Sequence, residues 1–247
     1  MRYSLTPLGK INLKKGDLLF FLHIPKTAGT AVYKAISETL FREKTLIIED
    51  DQIKNVYGRY YPDQFSNYIF FRQHSNYYFY QYLPRKPHYL TFLRNPVTRM
   101  VSLYNHVVEK PDKFKNRYLR EGQDFTAFLE FCKNPKVSNE QTRAIVGYEF
   151  STKKLSDADR LEIAKMRLNE FAFFGIQEFF PQSMQLLAQI FGWKELKTKV
   201  INQTKKQKKP GQLSTKETSM IIEHNYLDVQ LYEHAVSLFQ KRVGNVE

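Results

Sequence analysis

An apolar run that leads through a glycine-containing turn into a helix constrains the fold of this chain more than any other feature. Residues 18–23 read LLFFLH, residues 24–29 read IPKTAG, and a helix is predicted over residues 30–41. A short, continuous apolar run bounded by turn residues is typical of a buried strand. A buried strand followed by a tight turn and a helix predicts the first unit of a parallel sheet.

The rest of the chain continues this alternation of strands and helices. Apolar runs predict further strands at 46–48, 68–72, 88–93 and 171–176. Pro96 opens a helix that runs to about residue 108, and helical spacing of apolar residues predicts another helix around 125–131. SNEQ at 138–141, SDAD at 156–159 and STKE at 214–217 resemble capping boxes, the last before one long final helix. The pattern predicts an α/β fold whose mostly parallel sheet is covered on both faces, with residues 1–247 forming a single domain.

The composition limits the partners that this chain can have. It carries 38 Lys and Arg against 25 Asp and Glu, a formal net charge of +13, which favours polyanionic partners. Hydrophobic residues make up 42% of the chain, which argues against disorder. No RNA-binding signature accompanies the aromatic stretch NYYFYQY at 76–82, so we expect no nucleic-acid partner.

The single cysteine and the N-terminal sequence indicate the cellular compartment of the protein. Cys132 cannot form an intrachain disulfide, and its helical apolar surroundings predict a core thiol. No signal peptide is recognisable, and no apolar run is long enough to span a bilayer. We therefore expect a cytoplasmic protein, bacterial in origin, with peripheral membrane association left open.

The turn after the first strand is a candidate anion site. Free N–H groups and the positive dipole end at a helix start attract anions. Lys26 adds a cation, the hydroxyls of Thr27 and Thr30 add donors, and Gly29 lets the backbone approach an oxygen closely. The alternative is an ordinary strand-to-helix turn capped by threonine.

A second candidate anion site lies in LRNPVTRMVSLYNH at 93–106. Arg94 ends a strand, Asn95 can cap the helix begun by Pro96, and Ser102 lies two turns into that helix. Arginine suits a phosphate group because its planar fork gives paired, charge-assisted hydrogen bonds. Surface salt bridging is the alternative for this segment alone. Two anion sites at neighbouring strand ends would hold a ligand with two phosphate-like groups.

HIPKTAGT followed by LRNPVTRMVSLYNH resembles the nucleotide signature of the carbohydrate-type sulfotransferases, the family of heparan sulfate 2-O-sulfotransferase. The resemblance implies a P-loop-like three-layer α/β/α fold and use of PAPS (3′-phosphoadenosine 5′-phosphosulfate), with PAP as product. It assigns Lys26, Thr27, Ala28, Gly29 and Thr30 to the 5′-phosphosulfate, and Arg94 and Ser102 to the 3′-phosphate. The family pattern usually reads Arg-Asp-Pro where this chain reads Arg-Asn-Pro.

The resemblance also implies a catalytic base. It points to His74, which follows the predicted strand 68–72, with Lys26 stabilising the leaving phosphate. Histidine suits proton abstraction at neutral pH because its unperturbed pKa is near 6.5. Arg72 and Gln73 depart from the family pattern, which puts the 2-O type of acceptor in doubt, and His106 is the second candidate. Residues His23 and His88 are interpreted as structural.

The remaining assignments concern the acceptor and a lysine-rich segment. By resemblance, Gln141 and Arg143 are candidates for contact with a hydroxyl acceptor, expected to be a carbohydrate, although helix capping explains them equally well. Segment 197–212, with Asn202, corresponds to a family loop near the nucleotide, and a solvated linker is its alternative. We find no metal-ligand spacing of His, Cys or carboxylates. A metal-dependent P-loop kinase and a noncatalytic polyanion-binding protein remain the alternative functions.

Overall fold

The structure of this protein is a computed structural model. It describes residues 11, 13, 17–39, 44–48, 65–74, 77–83, 85–109, 124–135, 137–147, 155–193, 196 and 208–244. The proposed nucleotide contact Asn202 and most of segment 197–212 lie outside the described residues.

A sheet of five parallel strands forms the centre of the molecule. The strands are β1 (Leu19–Leu22), β2 (Thr45–Ile48), β3 (Phe70–Gln73), β4 (His88–Leu93) and β5 (Phe173–Ile176), in the spatial order β2-β3-β1-β4-β5. All four pairings between them are parallel. After β1 the chain continues to β2 and β3, which lie on one side of β1 within the sheet. After β4 it continues to β5 at the opposite edge, so the topological switch point lies between β1 and β4.

Eight helices accompany the sheet within the described ranges. They are α1 (Gly29–Thr39), α2 (Pro96–Glu109), α3 (Phe125–Cys132), α4 (Glu140–Val146), α5 (Asp157–Glu170), α6 (Phe180–Phe191), α7 (Thr215–His224) and α8 (Tyr226–Gly244). Short 3₁₀ turns cover Tyr77–Tyr82, Gln177–Phe179 and Pro210–Gln212.

Ring contacts show which helices cover each face of the sheet. Tyr33 of α1 stacks on Phe70, and Phe180 of α6 packs on Phe92, two strand residues that point to the same face. On the opposite face Phe79 stacks on Phe20, and the guanidinium of Arg242 in α8 lies over the ring of Phe174. Helices α4 and α5 pack against α8 in that second layer. The predicted three-layer α/β/α fold with a parallel sheet is therefore confirmed.

Two capping predictions are confirmed and one is wrong. Ser156 and Ser214 form reciprocal capping boxes with Asp159 and Glu217. SNEQ does not form one, because α4 begins after Asn139, which has left-handed backbone angles and makes no side-chain cap bond. Asp228 of α8 replaces the missing cap, since its carboxylate accepts hydrogen bonds from the backbone N–H groups of Gln141 and Thr142.

The single long final helix predicted from the sequence is two helices. Asn225 separates α7 from α8, and its side-chain amide donates to the carbonyl of Ile221 while its oxygen accepts from the N–H of Asn139. This break lets α7 pack on α2 and α3 around a smaller apolar cluster, while α8 packs on the main core. The predicted core thiol of Cys132 lies in the smaller cluster, where burial raises its pKa to about 12.

Candidate active site

The two candidate anion sites meet where β1 and β4 end side by side. Leu22 of β1 pairs with Thr91 of β4, and the hydroxyl of Thr91 donates to the carbonyl of Leu22 at 2.9 Å. Beyond the strands, Nη1 of Arg94 donates to the backbone carbonyl of Lys26 at 3.1 Å. Ligands of parallel α/β sheets collect at such a switch point, outside the carboxyl ends of the strands.

The anion loop, residues 24–29, has the backbone shape of an anion cradle. Lys26 and Ala28 have positive φ values of 70° and 68°, uncommon for residues with a side chain. Left-handed residues that alternate with right-handed or extended ones turn successive N–H groups toward a common point. The start of α1 adds N–H groups to this concavity, although those of Ala31 and Val32 already donate to the carbonyl of Ala28. The hydroxyl of Thr27 is used inside the loop, where it donates to the carbonyl of Ile24 at 2.9 Å.

Gly29 is required here by its contact with His23. A Cβ added at Gly29 would lie 1.8 Å from Cδ2 and 2.1 Å from Nε2 of the His23 imidazole. The ring of His23 is 5% exposed and stacks on Phe21 with centroids 5.5 Å apart. The sequence predicts that Gly29 admits an oxygen close to the backbone; its contact with His23 gives it a packing role as well.

Arg72 joins His23 to His74, the candidate base. Its Nε donates to Nδ1 of His23 at 3.0 Å, and its Nη2 lies 3.0 Å from Nε2 of His74. The two imidazole rings are 4.3 Å apart, and the guanidinium lies over the ring of Tyr33 at 5.1 Å. Burial, with the positive charges of Arg72 and Lys26 nearby, holds the pKa of His23 well below its ordinary value. His23 is therefore a neutral part of the site at neutral pH.

Arg94 is held from three sides. Its Nε donates to the hydroxyl of Thr98 at 3.0 Å, and burial lowers the pKa of its guanidinium. The side-chain amide of Gln141 binds its backbone twice, accepting from the N–H and donating to the carbonyl, each at 2.9 Å. Gln141 is 1% exposed and therefore positions Arg94; its predicted contact with an acceptor has no support from this geometry.

A buried charge network fixes α2 and α4 beside the loop. Arg99 is fully buried, pairs with Glu140 at 2.8 Å and reaches the carbonyl of Pro25 at 3.4 Å. Burial opposes its charge, but Glu140 and Asp228 together hold the pKa of Arg99 above the ordinary value. Burial raises the pKa of the Asp228 carboxyl, against the lowering effect of Arg99. These contacts connect α8, α4 and α2 to the anion loop.

The other candidates occupy less central positions. Asn95 caps α2 as predicted, since its Oδ1 accepts from the N–H groups of Val97 and Thr98 at 2.9 and 3.3 Å. Ser102 lies half-buried on α2, and Arg143 is half-buried on α4 with its Nε donating to the carbonyl of Ser138. His106 lies in the last turn of α2, about 15 Å along the helix axis from Pro96, so it is a weaker candidate base than His74.

Two contacts of the site, that of Arg72 with His23 and that of Gln141 with Arg94, are not predictable from the local sequence. His23 was interpreted as structural, and Arg72 was noted only as a departure from a family pattern. Both stand at or next to the ends of predicted strands, but only the observed pairing of β1 with β3 shows that they touch. The positioning role of Gln141 depends on a contact between residues 47 positions apart.

In the ranges given above, no group of three or more His, Cys, Asp or Glu side chains could hold a metal ion. Among the helices in those ranges, none is long and apolar enough to cross a membrane.

Known proteins are similar to this chain over most of its length. Residues 10–235 match the model of the sulfotransferase family. Heparan-sulfate 6-O-sulfotransferase 3 of mouse is 25% identical over 297 aligned positions, covering 97% of this chain and 61% of that protein. Heparan-sulfate 6-O-sulfotransferase 1 of Cricetulus griseus is 25% identical over 287 positions, covering 94% and 70%. The chain thus spans about three fifths of the length of the first relative and somewhat more of the second.

One solved structure, that of mouse sulfotransferase SULT7A1 complexed with PAP, aligns with a TM-score of 0.42 and 14% identity. The alignment covers 86% of this chain and 64% of that chain. The animal relatives do overturn one expectation: they are enzymes of mouse, human and hamster. The predicted cytoplasmic location in a bacterium is therefore wrong.

Proposed function

The chain belongs to the sulfotransferase family, and from this premise we propose that it transfers a sulfuryl group from PAPS to a hydroxyl group of a carbohydrate. The observation that carries the proposal is the hydrogen bond from Arg94 Nη1 to the Lys26 carbonyl. It joins the two anion-binding motifs into one site, as a nucleotide with a phosphate at each end requires. We also propose that residues 1–247 form one sulfotransferase domain, because the family match spans 10–235.

The residues present fit the nucleotide. The left-handed angles at Lys26 and Ala28 leave a cradle of N–H groups at the start of α1, and the half-buried Arg94, held by Gln141 and the Lys26 carbonyl, places a cation at the end of the neighbouring strand. We assign the 5′-phosphosulfate to Lys26, Thr27, Ala28, Gly29 and Thr30. We assign the 3′-phosphate to Arg94 and Ser102.

Three side chains of this protein divide the work of transfer. When bound, PAPS supplies an activated sulfate joined to its 5′-phosphate. His74 accepts the proton of the acceptor hydroxyl on Nε2 as the acceptor oxygen bonds to sulfur. Lys26 stabilises the negative charge that collects on the bridging oxygen as the bond from sulfur to that oxygen breaks. Arg94 positions the nucleotide, and Arg94 is itself held by the two hydrogen bonds between its backbone and the side-chain amide of Gln141.

The acceptor class follows from charge and from the relatives. The relatives are named for heparan sulfate, a polyanionic glycan, and this chain carries a net charge of +13. We propose an acidic carbohydrate as acceptor, with Arg143 as a candidate contact. Its half-buried position and its place two residues after Gln141 put it on the helix that borders Arg94.

The test is transfer of labelled sulfate from PAPS to a panel of glycans and small alcohols. Wild type is expected to label an acidic glycan, and His74→Ala to lose the transfer while keeping the melting shift that PAP causes. A ligand at 100 times its Kd stabilises a protein by about 2.7 kcal/mol, which a melting curve detects readily.

The same experiments separate the competing functions. Stabilisation by Mg·ATP and not by PAP would indicate a kinase. Salt-dependent polyanion binding that survives both His74→Ala and Lys26→Ala, without transfer, would indicate a noncatalytic binder. Either result would refute the sulfotransferase activity.

A further inference from the structure

Arg72 stands between two imidazole rings and can only donate to them. Its Nε lies 3.0 Å from Nδ1 of His23, and its Nη2 lies 3.0 Å from Nε2 of His74. A guanidinium has five N–H donors and no acceptor, and it stays protonated in proteins. The ring nitrogens that face it must therefore accept, which means that neither nitrogen carries a proton in this arrangement.

The donor pattern fixes the protonation of the candidate base. A neutral imidazole has one nitrogen with a proton and one with a free lone pair. In His74 the lone pair is on Nε2, and Arg72 already occupies it. Transfer needs this same lone pair to take the proton of the acceptor hydroxyl, so the guanidinium must leave Nε2 before the hydroxyl can bind there.

We propose that Arg72 covers the basic nitrogen of His74 until a carboxylate or sulfate of the acceptor, next to the reacting hydroxyl, draws the guanidinium away. This inference rests on the proposed function. It makes Arg72 a residue that determines specificity, because an uncharged acceptor offers nothing that competes for the guanidinium.

The distances and charges around Nε2 of His74 allow the acceptor hydroxyl to replace the guanidinium of Arg72 there. A hydroxyl that gives its proton to Nε2 lies about 3 Å from it, and Nη2 of Arg72 lies 3.0 Å from the same nitrogen. An anionic group one or two bonds from the hydroxyl-bearing carbon is therefore within reach of the guanidinium. Carboxylates and sulfates bind guanidinium through paired, charge-assisted hydrogen bonds, stronger than one bond to a neutral imidazole. The Nε contact to His23 and the ring of Tyr33 hold the other side of Arg72 during the movement.

The first test compares acceptors. For wild type, Arg72→Gln and Arg72→Lys, kcat/KM is measured with an acidic oligosaccharide and with its carboxyl-reduced, desulfated counterpart. Arg72→Gln is expected to lower the preference for the acidic acceptor by about tenfold or more, the size expected for a lost charge-assisted hydrogen bond. Arg72→Lys should fall between, since a lysine cannot bond both rings. Arg85→Gln is the matched control, because Arg85 is exposed and lies before the N-terminal end of β4, whereas the site lies at the C-terminal end. This variant should leave the preference for the acidic acceptor unchanged.

The second test observes His74 without turnover. Ring ¹⁵N spectra of the free wild-type protein should show Nε2 as an unprotonated acceptor. Adding PAP and the acidic oligosaccharide should shift that signal, whereas the uncharged counterpart should not, and Arg72→Gln should have a shifted signal already without acceptor. The melting shift with PAP should persist in both Arg72 variants, which shows that they are folded.

The outcomes are distinguishable. A wild-type protein that transfers sulfate while Arg72→Gln keeps the full preference for acidic acceptors overturns the role of Arg72 alone. An Nε2 signal of His74 that does not shift when the acidic acceptor is added also overturns the role of Arg72 alone. A wild-type protein that transfers sulfate to nothing overturns the proposed function, and the inference falls with it.

Discussion

Gly29→Ala tests whether the anion loop depends on the His23 ring. The new Cβ would lie 1.8 Å from Cδ2 of His23, whereas an ordinary contact needs about 3.4 Å, so the ring or the loop must move by about 1.6 Å. The ring cannot move freely, because it is 5% exposed, stacked on Phe21 and bonded to Arg72. Overpacking of this kind costs about 1–3 kcal/mol, which exceeds the roughly 0.4–1 kcal/mol that alanine gains where its backbone fits.

The expected result is a less stable protein with a weaker nucleotide site. With the alanine gain subtracted, the net cost reaches about 2.6 kcal/mol; since each kcal/mol corresponds to about 2–4 °C in Tm for a chain of this size, Gly29→Ala should melt lower by up to about 10 °C. The PAP-induced melting shift should shrink as well, because the displaced loop supplies the N–H cradle. Gly211→Ala is the matched control, since a Cβ at Gly211 meets nothing within 4 Å and its Tm should stay near that of wild type.

A double-mutant cycle isolates the contact. In a His23→Ala background the ring that the new Cβ would strike is gone, so Gly29→Ala should cost little stability there. A non-additive energy of at least about 1 kcal/mol is expected for residues in contact. Additive effects, or a Gly29→Ala protein as stable as wild type, would refute the claim that packing against His23 selects the glycine.

Three further predictions follow from the same site. Lys26→Ala should lower kcat by about 10²–10³ in the sulfate-transfer assay, and a loss below about threefold would contradict its proposed role at the bridging oxygen. Glu140→Gln should cost about 3 kcal/mol in urea unfolding, because it leaves the fully buried Arg99 with a weakened partner; an unchanged midpoint would show that the pair is dispensable. His23 has a lowered pKa, so the unfolded chain takes up its proton first on acidification, and stability should fall as the pH drops below about 6.5. His23→Gln should lose part of this pH dependence between about pH 7.5 and 5.5, and an equal dependence in both proteins would show that His23 contributes nothing to it.

The fold was predictable from short sequence patterns that determine each strand locally. Every predicted strand is present within one or two residues of its expected bounds, because short apolar runs and turn residues determine buried strands locally. The break at Asn225 was missed because the apolar pattern continues through it. Only the contact of Asn225 with Asn139, far away in the sequence, shows why the helix ends there.

The site was predictable to the extent that its residues belong to continuous motifs. The anion loop and Arg94 each stand directly after a strand, and parallel strands bring their carboxyl ends to the same edge. The Arg72 bridge was not predictable, because it joins residues 49 positions apart on strands whose order the sequence does not reveal. The replacement of a local cap on α4 by Asp228 was hidden for the same reason, since 86 positions separate Asp228 from Thr142.

The support of Arg94 extends to the last helix of the fold. Arg94 takes its position from Gln141, whose own N–H group donates to Asp228 of α8 at 3.1 Å. Helix α4 has seven residues and no local side-chain cap, so this carboxylate stabilises its first turn. Burial raises the pKa of Asp228, whereas the charge of Arg99 and the hydrogen bonds from Thr142 and Gln141 favour its ionised, hydrogen-bond-accepting form. The proposed binding of the nucleotide by Arg94 therefore depends on the Asp228 carboxylate and on the buried Arg99 beside it, so removing that carboxylate should weaken PAP binding.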